Sequence, residues 1–147
     1  MRVLIVAVGR LRDRALRQVL DDYLGRIAHY AGCEEKEIRA EGDKDVSERI
    51  QRALPERARV VALEVDGKAW SSTELAGFLG RCEQDAVGTV AFLIGGAEGL
   101  PREVSQRADL RLSLSPLTLP HRLARVLLAE QLYRGFTILR GEPYARE

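Results

Sequence analysis

Cysteine is scarce in this chain. Cys33 and Cys82 stand 49 positions apart, with no CxxC pair and no adjacent histidine, so neither a zinc cage nor a dithiol redox motif is indicated. Both read as packed free thiols. There is no HExxH and no GxSxG, which disfavours zinc-dependent hydrolysis and serine-hydrolase chemistry, and no metal is expected. Long hydrophobic runs are also missing. The run Val3-Leu4-Ile5-Val6-Ala7-Val8 is shorter than the apolar region of most signal peptides and passes directly into Gly9-Arg10, so it reads as a strand. No window is apolar for long enough to span a bilayer. The expectation is a cytoplasmic protein without a membrane partner.

A surplus of charge is absent as well. Lys and Arg number 23 against 22 Asp and Glu, and the net charge of +1 supplies no global attraction to a polyanion. Any RNA binding must come from a local patch. Lysine is limited to Lys36, Lys44 and Lys68, and the preponderance of arginine suits bidentate phosphate contacts, although a GC-rich genome is the simpler account of it.

What is present describes an ordinary globular protein, 46% hydrophobic and 31% charged over 147 residues. A chain of this length has room for one core and buries roughly 68–70% of its unfolded surface. A single domain over 1–147 follows.

The first run is continuous and β-branched, as in a strand buried on both faces of a parallel sheet. Asp13 is placed to cap a helix whose apolar positions Leu16, Val19, Leu20, Tyr23, Leu24 and Ile27 recur at three- and four-residue steps. A weaker, charged strand near Glu35 to Arg39, a Gly42-Asp43 break and a polar helix from Val46 to Leu54 suggest a unit at the outside of the sheet. Val60 to Val65 forms a strand ending at Asp66-Gly67. Ser71 or Ser72 with Glu74 then starts a capped helix to about Gln84.

Thr89 to Ile94 is the clearest central strand, and it ends in the turn Gly95-Gly96-Ala97-Glu98-Gly99. Pro101, at a first helical position, opens a short helix through Arg107. Leu110 to Leu114 gives a last strand, and two prolines make 115–120 a loop. From His121 to about Leu139 the set Leu123, Val126, Leu127, Leu128, Leu132, Phe136 and Leu139 gives a long amphipathic helix. Alternating strands and helices predict an α/β fold with a mostly parallel sheet covered on both faces.

In such sheets ligands bind beyond the carboxyl ends of the strands. The segments Leu63 to Trp70, Gly95 to Leu100 and Ser113 to His121 meet there and would form a generic nucleotide pocket. The glycine cluster lacks both GxGxxG spacing and a P-loop Lys-Ser/Thr, so on its own it is a tight turn, and a dinucleotide oxidoreductase is disfavoured. Glu130 and Arg134 are spaced for a surface ion pair but are also placed to face RNA or a bound base. His121 and Arg125, one turn apart, read either as cap and packing residues or as functional ones. Tyr133 and Trp70 read as core. Tyr144 lies in a polar tail, where an aromatic followed by Arg146 could stack on a base and hold a phosphate.

The same segments resemble the 23S ribosomal RNA pseudouridine N3-methyltransferases called RlmH, members of the knotted SPOUT methyltransferases. The resemblance runs through Val6 to Gly9, Leu63 to Trp70, Leu93 to Leu100, Leu114 to His121, Ala129 to Arg134 and Pro143 to Glu147. It implies a C-terminal deep trefoil knot, a homodimer whose partner helps complete each active site, and S-adenosyl-L-methionine as cofactor. By the same resemblance Leu63, Gly95, Leu114, Ser115, Pro116, Leu117, Thr118 and Leu119 contact that cofactor. His121, Glu130, Arg134, Tyr144 and Arg146 fall at catalytic positions, and Arg125, Arg134, Tyr144 and Arg146 at RNA-binding ones.

The implied activity is methylation of N3 of a pseudouridine in 23S rRNA of the assembled ribosome. This chain departs from the pattern at Ala145, where many relatives carry histidine. That leaves His121, Glu130 or solvent to take the N3 proton, and it keeps open a noncatalytic ribosome-binding dimer. A knotted transfer-RNA methyltransferase is the other alternative, mildly disfavoured by the lack of an appended RNA-binding domain.

Overall fold

The computed structural model describes residues 1–41 and 45–146; the Gly42-Asp43 break, Lys44 and Glu147 lie outside the described residues. Five parallel strands, β1 (Arg2–Val8), β2 (Gly32–Ile38), β3 (Arg59–Ala69), β4 (Thr89–Ile94) and β5 (Leu110–Ser113), form one sheet in the order β2-β1-β4-β3-β5. The helices are α1 (Arg14–Ile27), α2 (Val46–Ala53), α3 (Ser72–Gln84), α4 (Arg102–Arg107) and α5 (His121–Leu139), followed by a 3₁₀ turn at Pro143–Arg146. The charged strand β2 lies at an edge and the apolar β4 at the centre, as their compositions require.

Both faces of the sheet are covered because β1 from Val3 and β4 from Val90 are apolar and buried at every successive position. Val3, Ile5 and Ala7 of β1 join Leu20 and Ile27 of α1, Leu75 and Leu79 of α3, and Leu128, Leu132 and Phe136 of α5 in one buried cluster. Leu4, Val6 and Val8 join Ile50 of α2 and Val104 of α4 in the other. This alternation is the period-two pleat of a strand read from both sides. Each fully buried Leu or Ile contributes roughly 1.5–3 kcal/mol relative to exposure.

Local sequence sets the helix starts. Asp13 Oδ1 accepts the Leu16 N–H at 3.0 Å, and Asp45 Oδ1 accepts the Ser47 N–H at 2.9 Å. Ser71 and Glu74 close a reciprocal capping box at 3.1 and 3.0 Å. Pro101 is the N-cap of α4 rather than its first helical residue, a one-position shift that leaves its missing N–H harmless.

Three expectations are corrected. β3 does not stop at Asp66-Gly67 but runs to Ala69. Leu63 and Lys68 both register with Leu112, so the residues between them bulge out and the strand then re-pairs with β5. Gly67 permits this, since a Cβ there would lie 2.8 Å from the carbonyl carbon and oxygen of Arg111. β5 ends at Ser113, leaving Leu114 in the loop. On α5 the apolar stripe is narrower than its composition suggests, because Leu123 and Leu127 remain 41% and 42% exposed.

Candidate active site

At the carboxyl edge of the sheet the β3 bulge, the β4–α4 turn and the β5–α5 loop enclose a cavity of about 470 Å³, within the roughly 300–1,000 Å³ of small-molecule sites. Its walls include Leu63, Gly95, Leu114, Ser115, Leu117, Thr118 and Leu119; Pro116, exposed on the same loop, is outside the lining. The floor of the turn is backbone. A Cβ on Gly95 would overlap the main chain of Gly99 and Leu100, Gly96 and Gly99 form a β-bridge, and Gly99 has φ +76°. Only glycine allows the chain to fold back this closely.

Besides the hydroxyls of Ser115 and Thr118, two ionisable side chains border this mainly apolar space. His121 lines it from the first turn of α5, with Nδ1 buried and without a hydrogen-bond partner among the described residues. Glu64, not singled out from the sequence, also lines it, and its Oε2 accepts the hydroxyl of buried Ser105 at 3.1 Å. Its signal was the carboxylate immediately after Leu63 at the mouth of an apolar strand. A buried nitrogen without a partner is an unmet demand that a polar ligand atom can answer. Leucine walls, close backbone and a few polar groups fit an adenosine moiety.

A second cluster sits further along α5. Glu130 Oε2 accepts Arg134 Nε at 3.0 Å, Arg134 Nη2 at 2.8 Å and the Tyr144 hydroxyl at 2.7 Å. The Arg134 guanidinium lies 5.0 Å from the centre of the Tyr144 ring, which meets Tyr133 edge-on at 4.6 Å. Burial, then the bond to Glu130, raises the Tyr144 phenol above its ordinary value. Arg146 is exposed at the end of the tail. Glu130 follows His121 by nine helical residues, about 14 Å along the axis at ~1.5 Å per residue. One chain therefore does not bring the two clusters together.

Arg125 is corrected from an RNA contact to an internal cation. It is 1% exposed. Its Nη2 donates to Glu35 Oε2 at 2.7 Å and Glu37 Oε2 at 2.5 Å, while Nη1 donates to the Gly9 carbonyl at 3.3 Å. Arg17 binds Glu35 at 2.6 Å from the other side, and Glu37 also accepts the Leu11 N–H at 2.9 Å. Burial works to raise the Glu37 carboxyl, but Arg125, the Leu11 N–H and Arg17 outweigh it and hold it below its usual range. Having no exposed surface, the Arg125 guanidinium instead ties α5, the edge strand and the β1–α1 loop together.

Trp70 packs on Phe78 with ring centres 5.3 Å apart. Among the described residues no group of three or more His, Cys, Asp or Glu is arranged to hold a metal ion, and no helix is long and apolar enough to cross a membrane.

A parallel α/β sheet with a glycine-turn pocket at its carboxyl edge defines a nucleotide-binding class of fold, and comparison with known proteins narrows it to methyltransferases. Residues 1–145 match the family described as predicted SPOUT methyltransferase, and the chain belongs to that family. It is 53% identical over 145 residues to ribosomal RNA large subunit methyltransferase H of Sorangium cellulosum, covering 99% of each chain. It is 42% identical to the protein of the same name from Gemmatimonas aurantiaca, over 98% of this chain and 99% of that one.

Among solved structures, a probable methyltransferase from Bordetella pertussis superposes with a TM-score of 0.59 at 16% identity, over 91% of this chain and 95% of the other. A structure described for 2-OH methylation of C/U34 on tRNA gives 0.56 at 21% identity, over 96% and 98%. These two likenesses concern the fold.

Proposed function

We propose that this chain, as one SPOUT domain over 1–147, uses S-adenosyl-L-methionine to methylate N3 of a pseudouridine in 23S rRNA of the assembled ribosome, acting in the cytoplasm as a homodimer. The observation that carries this reading is the cavity walled by Leu63, the Gly95 turn and the 114–119 loop, in a chain 53% identical end to end to a ribosomal RNA methyltransferase. Family membership supports a C-terminal trefoil knot.

In the pocket Leu63, Leu114 and Leu119 would flank the adenine, the Gly95 turn would offer backbone groups at close range, and His121 Nδ1 would find its missing partner. The bound cofactor supplies an electrophilic methyl group on a sulfonium. The protein's main task is then to hold N3 in line with that methyl, since orientation supplies much of the rate advantage. Glu130, Arg134, Tyr144 and Arg146 are suited to grip the base and its phosphate. With alanine at 145, the N3 proton passes to solvent.

Dimerisation answers the separation of the two clusters along α5. The tail of one protomer would reach the pocket of its partner, with exposed Leu123 and Leu127 of α5 supplying an apolar face. Calorimetric titration with S-adenosyl-L-methionine tests the pocket: the wild type should bind, and Gly95→Ala should bind at least tenfold more weakly. Mixing Gly95→Ala with Tyr144→Ala subunits should restore methyl transfer that each lacks alone. Absence of cofactor binding by the wild type would overturn the reading.

A further inference from the structure

Helices α2, α3 and α4 each carry a carboxylate in the first turn, Glu48, Glu74 and Glu103, where the positive end of the helix dipole favours it. Helices α1 and α5 carry none. Their starts hold cations instead: Arg14 opens α1 just after Arg10 and Arg12, and Arg122 is the second residue of α5. The capping residue Asp13 is the one carboxylate in the Arg10 to Arg14 stretch. Asp13 supplies the capping carboxylate of α1, yet Arg10, Arg12 and Arg14 against Asp13 leave that stretch with a net charge of +2, and Arg122 adds a cation at the start of α5, where no anion lies in the first turn.

These arginines have no internal task, and their place sets them apart from Arg57, Arg81 and Arg107: those exposed arginines, without a partner among the described residues, lie toward the amino ends of the strands, whereas these lie at the carboxyl edge beside the cavity. Arg17, Arg26, Arg52, Arg125 and Arg140 are each paired with a carboxylate. Arg10, Arg12, Arg14 and Arg122 are exposed, and among the described residues none makes an ion pair or a side-chain hydrogen bond.

The backbone that bears them is nevertheless held firmly. The Gly9 N–H donates to the Ile38 carbonyl at 2.7 Å, the Gly9 carbonyl accepts from Arg125, and the N–H of buried Leu11, between Arg10 and Arg12, donates to Glu37. Arg125 thereby fixes the β1–α1 loop and the first turn of α5 to each other. The resulting face borders the cavity, because His121 beside Arg122 lines it and Gly96 of its turn packs against Val8.

We propose that Arg10, Arg12, Arg14 and Arg122 form a phosphate-docking face that grips the backbone of the substrate RNA beside the cofactor pocket. This rests on the reading of the chain as an rRNA methyltransferase. Guanidinium groups distributed over one loop and two helix ends match successive phosphates along a strand better than a single small anion. With a net charge of only +1, the chain has no diffuse field to substitute for them. The face takes the role first expected of Arg125, whose contribution is to hold it in shape.

The test compares two triple variants with the same loss of charge. R10Q/R12Q/R122Q removes three cations from the docking face, while R57Q/R81Q/R107Q removes three exposed arginines near the amino ends of β3, β4 and β5. Binding to purified ribosomes is followed from 50 to 200 mM monovalent salt at fixed magnesium, with calorimetric cofactor affinity as the check on folding.

Each lost phosphate contact should lower the slope of log affinity against log salt by roughly 0.7–0.9. The first variant should therefore show a slope smaller by about 2–3, losing roughly 20- to 40-fold less affinity over that range than the wild type, with unchanged cofactor affinity. The second should keep the wild-type slope. Equal changes in both variants, or none in the first, would overturn the docking face while leaving the enzymatic reading intact. Failure of the wild type to bind ribosomes would defeat that reading, and the docking face with it.

Discussion

Replacing Arg125 by methionine removes the cation at the centre of a buried network while keeping most of the side-chain volume. Glu35 and Glu37, with side chains 10% and 28% exposed, would then share only Arg17. Breaking a buried pair from one side costs about 3–5 kcal/mol, because the remaining charge is left without compensation. Partial exposure of Glu37 and the surviving Arg17 place this case near the lower end, about 3 kcal/mol. At ~2–4 °C per kcal/mol for a chain of this size, the melting temperature should fall by about 6–12 °C.

Urea denaturation at one fixed protein concentration is the suitable assay, because any dimerisation couples to apparent stability. The triple variant R125M/E35Q/E37Q should recover a substantial part of the loss, since it leaves no orphaned carboxylate. A loss below about 1 kcal/mol for the single variant, or a triple variant less stable than the single one, would refute the structural role assigned to Arg125.

Glu37 predicts a specific acid response. Its folded-state pKa is depressed, so its stabilisation is complete above the unfolded value of about 4.5 and is lost as pH falls through the lower folded value. Urea midpoints measured from pH 7 to 3 should drop below about pH 5, and Glu37→Gln should flatten that limb. Burial, aided by the nearby Glu35 charge, pushes the Cys33 thiol up to about 11, and burial also raises Cys82. At pH 8 both should resist a thiol reagent in the native state and react in denaturant; rapid stoichiometric native labelling would contradict this. Tyr144→Phe removes the hydroxyl that Glu130 accepts at 2.7 Å. Amide exchange at residues 144–146 should accelerate by about tenfold, corresponding to roughly 1.4 kcal/mol for a partly exposed bond to a charged group.

The elements legible in the sequence were those whose signal is local. β1 and β4 announce themselves as continuous apolar runs, α5 spans His121 to Leu139 as its periodicity predicts, and Asp13, Ser71 and Glu74 cap helices where expected. The three pocket segments were legible because strand ends in a parallel sheet gather at one edge. The strand order was not, since β4 pairs with β1 across more than eighty intervening residues. Nor was the β3 bulge, which is created by pairing with β5 rather than by any pattern within Leu63 to Ala69.

Arg125 was misread for a related reason. An arginine on a helix defaults to the surface, and its burial depends on Glu35 and Glu37, two residues apart and therefore on one face of a strand ninety positions away. A pair of carboxylates spaced i, i+2 on an otherwise half-buried edge strand was the available signal. Separation of His121 from the Glu130–Tyr144 cluster followed directly from helix rise, yet it gains meaning only when a second chain is considered.

The measurement that bears most directly on the account is methyl transfer itself. Purified protein is incubated with tritiated S-adenosyl-L-methionine and ribosomes from a strain lacking the endogenous modification, and any labelled nucleotide is mapped by mass spectrometry. Label on N3 of a single pseudouridine of 23S rRNA is the predicted result, and it would show that alanine at 145 supports catalysis. Unlabelled ribosomes, with cofactor binding intact and a related enzyme active in parallel, would contradict the account.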